Sequence, residues 1–380
     1  MSKLYAQDGV NVAEGDSFSV FAAKMCRKTY NNSPFVEIVD HSRDHFRGPR
    51  GWMFKNLPKG YFIVGAPDGI GTKVVIIDAA GMHRSAAFDL LAMTCGDISR
   101  EGGLPILFTS VLDVSTLGKE GDKVNNAARL LISGLVEAAN KIGIVLYKGE
   151  TAELGICVGS ENPRAKVKFN WSGFAIGVNH PNKIIVGKSL VPGQAIVGLR
   201  DRFRSNGISS VRGAFRKKFG DNWWNDEGAA ETIKEAAMPS ILYDRFLATA
   251  NGWFDVNFEA IFKMYLIVHV TGGAIKSKFA EDILFPMGLS ARLDNLWEPP
   301  KIMKDCAEWR GMSDQECYAV WNGGQGMLVV VDQADNERFI AMAKEFGIEA
   351  KVCGEITRES QPSVIIFSKF TEDKVIEYKK

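Results

Sequence analysis

Five residues that could handle phosphate stand within six positions of the segment GAPDGIGTK: Asp68, Gly69, Gly71, Thr72 and Lys73. The segment follows a strand-like run, and it lacks the GxxxxGK[ST] order of a Walker loop. A carboxylate suits a hard cation such as Mg²⁺, while backbone N–H groups and a lysine suit phosphate oxygens. The segment therefore indicates a phosphate site, and a simple Asp-Gly turn is the open alternative.

Three further carboxylates stand at or near the ends of predicted elements. They are Asp97 in CGDIS, Asp113 after a strand, and Glu150 in KGETAE. Mg²⁺ is bound by one or two carboxylates together with phosphate and water oxygens. A single carboxylate such as Asp97 or Asp113 is more often a helix cap or a solvated charge, whereas Glu150, directly after Lys148-Gly149, is the more informative residue.

Two segments place small polar residues and glycines at predicted helix starts. RSNGISSVR contains Ser205, Asn206 and Gly207, and HVTGGAI contains Thr271, Gly272 and Gly273. The N–H groups at a helix N-terminus bind anions. Ordinary N-capping explains the same residue types.

Composition excludes several functional classes. The 46 Lys and Arg against 45 Asp and Glu give a net charge of +1, which favours neither nucleic acid nor an anionic membrane as partner. The six cysteines form no CxxC pair and the five histidines show no ligand spacing, so no zinc site or disulfide framework is expected. The N-terminus lacks a signal-peptide pattern and no apolar run is long enough to span a membrane, so we expect a cytoplasmic protein.

The elements that must position these residues divide the chain into two domains. At 380 residues, two domains are expected, and the NHPNK segment suggests 1–180 and 181–380, with 1–58 as an arm and glycine-containing loop. Strands are predicted at 61–64, 73–77, 104–114 and 169–178, and helices at 85–100 and 122–142. The second helix is indicated by apolar positions at three- and four-residue steps, by Asp122 as N-cap and by Gly143 as its stop.

The second half also alternates strands with helices. Strands are predicted at AIVGL and GMLVVVD, and helices near 207–219, 240–250, 273–285 and 335–346. This alternation favours two α/β or α+β domains over a barrel or a sandwich.

The order of the motifs resembles one family. YAQDGVNVAEGD, RGPRGWMF, GAPDGIGTK, FDLLAMTCGDI, GLPILFTSVLD, KGETAEL, GFAIGV, RSNGISSVR, HVTGGAI and WNGGQGM follow one another as they do in aminoimidazole ribonucleotide synthetase, also called phosphoribosylformylglycinamidine cyclo-ligase. The wider superfamily includes selenophosphate synthetase, thiamine monophosphate kinase and the hydrogenase maturation dehydratase. All of these act on ATP.

The resemblance implies a fold, a site and a homodimer. The fold would have two domains, an N-terminal one that forms a barrel with a second copy and a C-terminal α/β one. Gly48 and Gly51 would cover ATP, and Asp68, Asp97 and Glu150 would hold Mg²⁺, with Lys73 against the phosphates. The substrate, formylglycinamidine ribonucleotide, would bind along two segments and a loop residue, namely Arg204, Ser205, Asn206, Gly207, His269, Thr271, Gly272, Gly273 and Asn322.

The implied activity is a ligase reaction of purine biosynthesis. ATP would phosphorylate the formyl oxygen, an internal nitrogen would attack the activated carbon, and phosphate would leave to give aminoimidazole ribonucleotide. Ring closure of this kind requires positioning, and phosphoryl transfer requires charge stabilisation.

Three residues depart from the family pattern. Gly96 stands where asparagine is usual, Arg204 where histidine is common, and Lys148 where glycine is usual. Arginine binds phosphate but cannot titrate as histidine does. Two alternatives therefore stay open: a divergent superfamily enzyme that uses ATP on another phosphorylated metabolite, and a nucleotide-binding protein without turnover.

Overall fold

The computed structural model describes residues 12–42 and 47–380. Residues 1–11 and 43–46, which belong to the predicted arm, lie outside the described residues. The chain forms two compact units, one of residues up to 98 together with 103–181, and one of residues 99–102 together with 182–380.

Among the described residues, the first unit combines a small hairpin, an open sheet and four α-helices. In chain order its elements are α1 Val12–Arg27, β1 Val36–Asp40, β2 Arg50–Phe54, β3 Phe62–Gly69, α2 Lys73–Ala80, α3 Ala86–Ser99, β4 Leu104–Val114, α4 Lys123–Ile142, β5 Val145–Glu153 and β6 Phe169–Asn179. The open sheet has the order β3-β6-β4-β5, and only the β4–β5 pair is parallel.

The predicted arm and glycine loop are partly a hairpin. Strands β1 and β2 pair antiparallel, with Val39 opposite Gly51 and Asp40 opposite Arg50. Of the two glycines in the predicted loop, Gly48 precedes β2 and Gly51 lies within it. The φ of Gly48 is 139°, and a Cβ there would lie 2.8 Å from the Ser42 Cα, so the turn requires glycine.

The predicted strand at residues 73–77 is wrong, because these residues form α2. The β-branched run KVVII favours a strand locally. In the structure Val75, Ile76 and Ile77 are buried, and Gly81 ends the helix in the left-handed conformation with φ 68°. Packing therefore overrides local propensity here.

The second unit is built around a seven-stranded mixed sheet. Its elements are β7 Ala195–Arg200, α5 Ile208–Phe219, α6 Ala230–Ala236, α7 Asp244–Ala250, β8 Met264–His269, a π-helix Ile275–Leu284, β9 Ser290–Leu293, α8 Lys301–Arg310, α9 Asp314–Val320, β10 Gln325–Val331, α10 Asn336–Glu345, β11 Ala350–Thr357, β12 Ser363–Phe367 and β13 Val375–Lys379. The strand order is β13-β12-β9-β11-β7-β10-β8, and β12 and β9 are parallel.

Both faces of this larger sheet are covered. Along β10, Leu328 and Val330 belong to one apolar core, while Val329 and Val331 belong to a second core with Phe246 and the other side chains of that face. Successive side chains of a strand point to opposite faces. The continuous apolar run of β10 therefore marks a strand buried on both sides.

The mixed α/β class that the sequence predicts is confirmed. Within the described part of the chain, no helix combines the length and apolar character needed to cross a bilayer.

Candidate functional site

The predicted phosphate segment connects β3 to α2. Asp68 is the second-last residue of β3, and its Oδ1 accepts a hydrogen bond from the Gly69 N–H at 2.7 Å. Gly71 has φ 62° with open space where a Cβ would stand, and Thr72 is exposed at the start of α2. An exposed glycine turn before a helix N-terminus can receive an anion through backbone N–H groups.

Lys73 is not on that surface. Its side chain is 0% exposed, and Nζ donates to Asp89 Oδ1 at 2.7 Å. The expectation that Lys73 neutralises phosphate charge disagrees with this geometry, because a buried cation needs a paired anion. Lys73 instead joins the first turn of α2 to α3.

The three predicted Mg²⁺ ligands do not form one site. Asp68 lies on β3 and Glu150 on β5, the two edge strands, three strand spacings or about 14 Å apart. Their side chains also point to opposite faces, since Asp68 shares its row with Ser110, and Glu150 shares its row with Val111.

Asp97 is half-buried near the end of α3. No group of three or more His, Cys, Asp or Glu residues suited to a metal occurs among residues 12–42 and 47–380. The donor set that we expected for Mg²⁺ therefore does not fit within one chain.

Gly48 and Glu150 line a common cavity in the first unit. The cavity has a volume of about 580 Å³ and lies among α1, the 47–50 turn, β4, β5 and α4. Arg47, Arg50 and Lys148 line it together with Asp16 and Glu153. It is large enough for a small-molecule ligand and carries both signs of charge.

An ion-pair cluster fixes the 47–50 turn beside this cavity. Asp40 Oδ2 lies 3.2 Å from Arg27 Nε and 3.4 Å from Arg50 Nε. Burial opposes the charge of Asp40, but hydrogen bonds from Ser42 and Arg27 and the positive charge of Arg50 outweigh it and lower the pKa of the carboxyl to about 2. Arg50 is thus held by Asp40 at the start of β2.

In the second unit, the two predicted substrate segments rest on the same short stretch of chain. Gly207 has φ 74°, and a Cβ there would lie 2.5 Å from Val320 O; the same distance separates a Cβ at Gly272 from that oxygen. The Gly273 N–H donates to Tyr318 O at 3.2 Å. Glycine at these positions lets both segments approach the end of α9.

Ser205 and Asn206 carry polar atoms that nothing in the described protein satisfies. Ser205 Oγ and Asn206 Oδ1 are shielded from solvent and lack a hydrogen-bond partner in the described part of the chain. Both precede α5 at its N-terminus. Unsatisfied polar atoms at such a position suit a ligand that supplies the missing partner.

The Arg204 side chain is buried in an ion pair. It is 2% exposed, and Nη1 lies 3.2 Å from Asp201 Oδ2 and 3.3 Å from Gly326 O. The expectation that Arg204 contacts substrate therefore disagrees with the structure, because its charge is buried against Asp201.

His269 and Asn322 are also buried. His269 is 1% exposed at the end of β8. Asn322 is 4% exposed, and its Nδ2 donates to Arg202 O at 2.9 Å. The Asn322 amide thus holds the chain before Arg204 in place.

Sequence reasoning missed Lys278. Its Nζ donates to Thr271 Oγ1 at 3.2 Å, which places a cation beside the Thr271–Gly273 segment. Lys278 is half-buried on the π-helix. The sequence does show a lysine about one helical turn after HVTGGAI, but only the fold shows that its side chain contacts Thr271.

Family models and relatives place this geometry in a known group. The model for the AIR synthase related protein N-terminal domain matches residues 53–178, and the model for its C-terminal domain matches residues 191–367. A phosphoribosylformylglycinamidine cyclo-ligase of Alkaliphilus oremlandii is 29% identical over 96% of this chain and 100% of its own. One from Oceanobacillus iheyensis is 28% identical over 94% and 98%.

A solved structure supports the fold. Thiamine-monophosphate kinase from Stenotrophomonas maltophilia superposes with a TM-score of 0.55 at 13% identity and covers 90% of this chain and 95% of its own. With both family models matched in order and relatives aligned over nearly the whole length, the chain belongs to the AIR synthase related protein family.

Proposed function

We propose that this protein is a phosphoribosylformylglycinamidine cyclo-ligase, which uses ATP to close formylglycinamidine ribonucleotide to aminoimidazole ribonucleotide with release of ADP and phosphate. The observation that carries the proposal is the near full-length similarity to two relatives of that name. It favours the cyclo-ligase over an enzyme acting on another metabolite and over a protein without turnover.

ATP binding is supported by two features of the first unit. The exposed Gly71–Thr72 turn presents the N-terminus of α2 to an anion, and the cavity beside Gly48 carries Arg47, Arg50 and Lys148. Asp68 remains the proposed acidic group of the turn. Lys73 contributes indirectly, because its bond to Asp89 anchors the first residue of α2.

Substrate binding is supported by the convergence in the second unit. Ser205 Oγ and Asn206 Oδ1 lack a hydrogen-bond partner among the described residues, as is typical of polar atoms that a ligand satisfies. The Thr271–Gly273 segment has the Lys278 ammonium beside it. A ribonucleotide phosphate is suited to a site with one cation and backbone N–H groups.

The ring closure requires the protein to hold the reacting atoms of the substrate close together. The formyl oxygen leaves only after phosphorylation by ATP, which makes phosphate the leaving group when the internal nitrogen attacks. Holding the nitrogen close to the activated carbon replaces an intermolecular encounter with an intramolecular one. The three expected Mg²⁺ ligands are not brought together within one chain, so Mg²⁺ binding stays a prediction. A cytoplasmic location also stays a prediction.

A homodimer through the first unit is part of the proposal. On one face of the open sheet, Ile63 is 63% exposed, Val111 43% and Phe174 41%. The opposite face of the same strands is buried, as at Phe108 and Ala175. A contiguous exposed apolar face is uncommon on a monomer, and a second copy that covers it would close the sheet into the expected barrel.

The first experiment measures both products. ADP release with ATP and formylglycinamidine ribonucleotide is followed in a coupled assay, and aminoimidazole ribonucleotide is detected in parallel by diazo coupling. Equal amounts of both products are expected. ADP without the imidazole product, or ATP-dependent thermal stabilisation without turnover, would overturn the cyclo-ligase assignment.

Asp68→Asn tests the acidic group of the turn. Asparagine can still accept the hydrogen bond from Gly69 N–H, so the fold should be kept while the charge is lost. We expect ADP release to fall by about 100-fold or more, the range found when one charge-stabilising group is removed. Glu137→Gln, at a surface residue that pairs with Arg84, is the control; normal activity of Asp68→Asn would refute the role.

A further inference from the structure

Arg204 and Asp201 form the centre of a buried polar cluster in the second unit. Asp201 is 2% exposed, and its Oδ1 accepts hydrogen bonds from Arg202 N at 2.8 Å and Ile241 N at 3.0 Å. Its Oδ2 faces Arg204 Nη1 at 3.2 Å. One carboxylate therefore binds the backbone of its own loop and of the separate segment at Ile241, and it neutralises the guanidinium.

Two further groups fix the direction of Arg204. Nη1 also donates to Gly326 O, and the guanidinium carbon lies 5.7 Å from the centre of the Tyr243 ring. The Tyr243 hydroxyl donates to Arg200 O at 2.7 Å. A Cβ at Gly326 would lie 2.1 Å from that hydroxyl, so glycine is required for tyrosine and arginine to pack here.

The loop that carries Arg204 is held at its two ends as well. Asn322 Nδ2 binds Arg202 O at 2.9 Å, and Trp321 Nε1 binds Gly207 O at 3.1 Å. Between these points, Phe203 packs against Trp321 with ring centres 5.6 Å apart, and Arg204 forms the buried ion pair with Asp201. Ser205 and Asn206 follow it directly, and Ser205 Oγ and Asn206 Oδ1 are buried oxygens that lack a partner in the described part of the chain.

We propose that Arg204 is a positioning residue, which through its buried ion pair with Asp201 aligns Ser205 and Asn206 for the ribonucleotide substrate. The inference rests on the proposed function. Arginine suits this role because it keeps its charge when buried, and here its Nη1 lies within reach of both Asp201 Oδ2 and Gly326 O. Arg204 itself touches no substrate atom.

The test compares Arg204→Met with Arg202→Met. Arg202 is two residues away on the same loop, but its side chain is exposed, so the same chemical change is made without loss of the buried pair. For Arg204→Met we expect KM for formylglycinamidine ribonucleotide to rise about tenfold or more while KM for ATP stays within about twofold. Arg202→Met should match the parent protein, and Arg204→Lys should recover part of the loss.

If Arg204 had a purely structural role, its loss would change other measured properties of the protein. It would lower the melting temperature and the active fraction without separating the two KM values, and that result would overturn the inference. If Arg204→Met does not fold, Asp201→Asn serves in its place, because asparagine keeps an acceptor for both N–H groups but not the charge. The same separation of KM values is then expected.

Hydrogen–deuterium exchange separates this inference from the proposed function. The amides of Ser210 and Val211 donate to Gly207 O, so their exchange reports whether the loop is held in place. Without any ligand, Arg204→Met should exchange these two amides at least about tenfold faster than the parent, and Arg202→Met should not. Faster exchange in a protein that shows no cyclo-ligase activity would support the loop alignment and reject the proposed substrate. Unchanged exchange would overturn the inference whatever the activity.

Discussion

Asp244 carries a carboxyl group that is 2% exposed in the first turn of α7. The Ser99 hydroxyl donates to its Oδ1 at 2.7 Å. Burial raises the pKa of Asp244 from 3.8 to about 6, against the opposing effects of this hydrogen bond and of the Arg204 charge. The folded protein therefore keeps a proton that the unfolded chain has lost between these two pH values.

The raised pKa makes stability depend on pH. The contribution of the protonated group is fully present below about pH 4 and is lost as the pH rises through about 6, the folded value. Asp244→Asn is neutral throughout, and asparagine still accepts from Ser99. We expect its free energy of unfolding at pH 7 to exceed that of the parent by about 1 to 3 kcal/mol, at 1.4 kcal/mol per pKa unit.

Urea unfolding at pH 4, 5, 6 and 7 measures this difference. The gap between Asp244→Asn and the parent should widen across that range and then level off. Asp282→Asn removes an exposed carboxylate of the same unit and serves as control. A gap that stays constant with pH would show that the two residues differ in packing and that the raised pKa is not the cause.

At the scale of elements, α9 supports both proposed substrate segments. Its end contacts the glycines of the 205–207 and 271–273 segments, and its start is a capping box. The Glu316 N–H donates to Ser313 Oγ at 3.3 Å, and the Ser313 N–H donates to Glu316 Oε2 at 2.7 Å. These two bonds satisfy N–H groups that a seven-residue helix would otherwise leave without acceptors.

Ser313→Ala should therefore destabilise the second unit. The loss of an N-cap hydroxyl costs about 1 kcal/mol, which urea unfolding followed by tryptophan fluorescence can measure. Glu316→Gln keeps a group that can complete the box and should lose less than half as much. Equal losses in both variants would mean that the Glu316 charge at the helix start contributes as much as the Ser313 hydroxyl.

The sequence predicts elements well where one local pattern dominates. For α4, the apolar positions and Gly143 gave the observed helix Lys123–Ile142, with Gly143 left-handed at φ 86°. The run KVVII was mispredicted as a strand. It forms α2 because packing buries its side chains, and that packing depends on residues distant in sequence. The hairpin β1–β2 was missed because each strand has only five residues and the RGPRGWMF segment reads as a glycine loop.

The motifs of the candidate site could be predicted from the sequence, but the orientations of their charged side chains could not. The glycine segments near 207 and 272 do converge, as their shared approach to Val320 O shows. Whether a charged side chain points inward depends on partners such as Asp89 for Lys73 and Asp201 for Arg204. Asp89 is sixteen residues from Lys73 on another helix, and sequence spacing does not disclose that pairing.

At the scale of the whole molecule, the two larger sheets differ in how their faces are covered. The seven-stranded sheet has an apolar core on each face. The four-stranded sheet buries one face and leaves Ile63, Val111 and Phe174 exposed on the other. Glu150 shares that exposed face with Val111, its partner in the β4–β5 register, so a second copy on this face would lie next to the carboxylate.

Val111→Lys tests the proposed dimer. The lysine would stand beside Glu150 and be tolerated on the single chain, but in the dimer it would place a charge in an apolar contact. We expect sedimentation to show two chains for the parent protein at micromolar concentration and one for Val111→Lys. Val256→Lys, at a valine that is 93% exposed in the second unit, should stay dimeric. A monomeric parent, or a dimeric Val111→Lys, would reject this face as the interface.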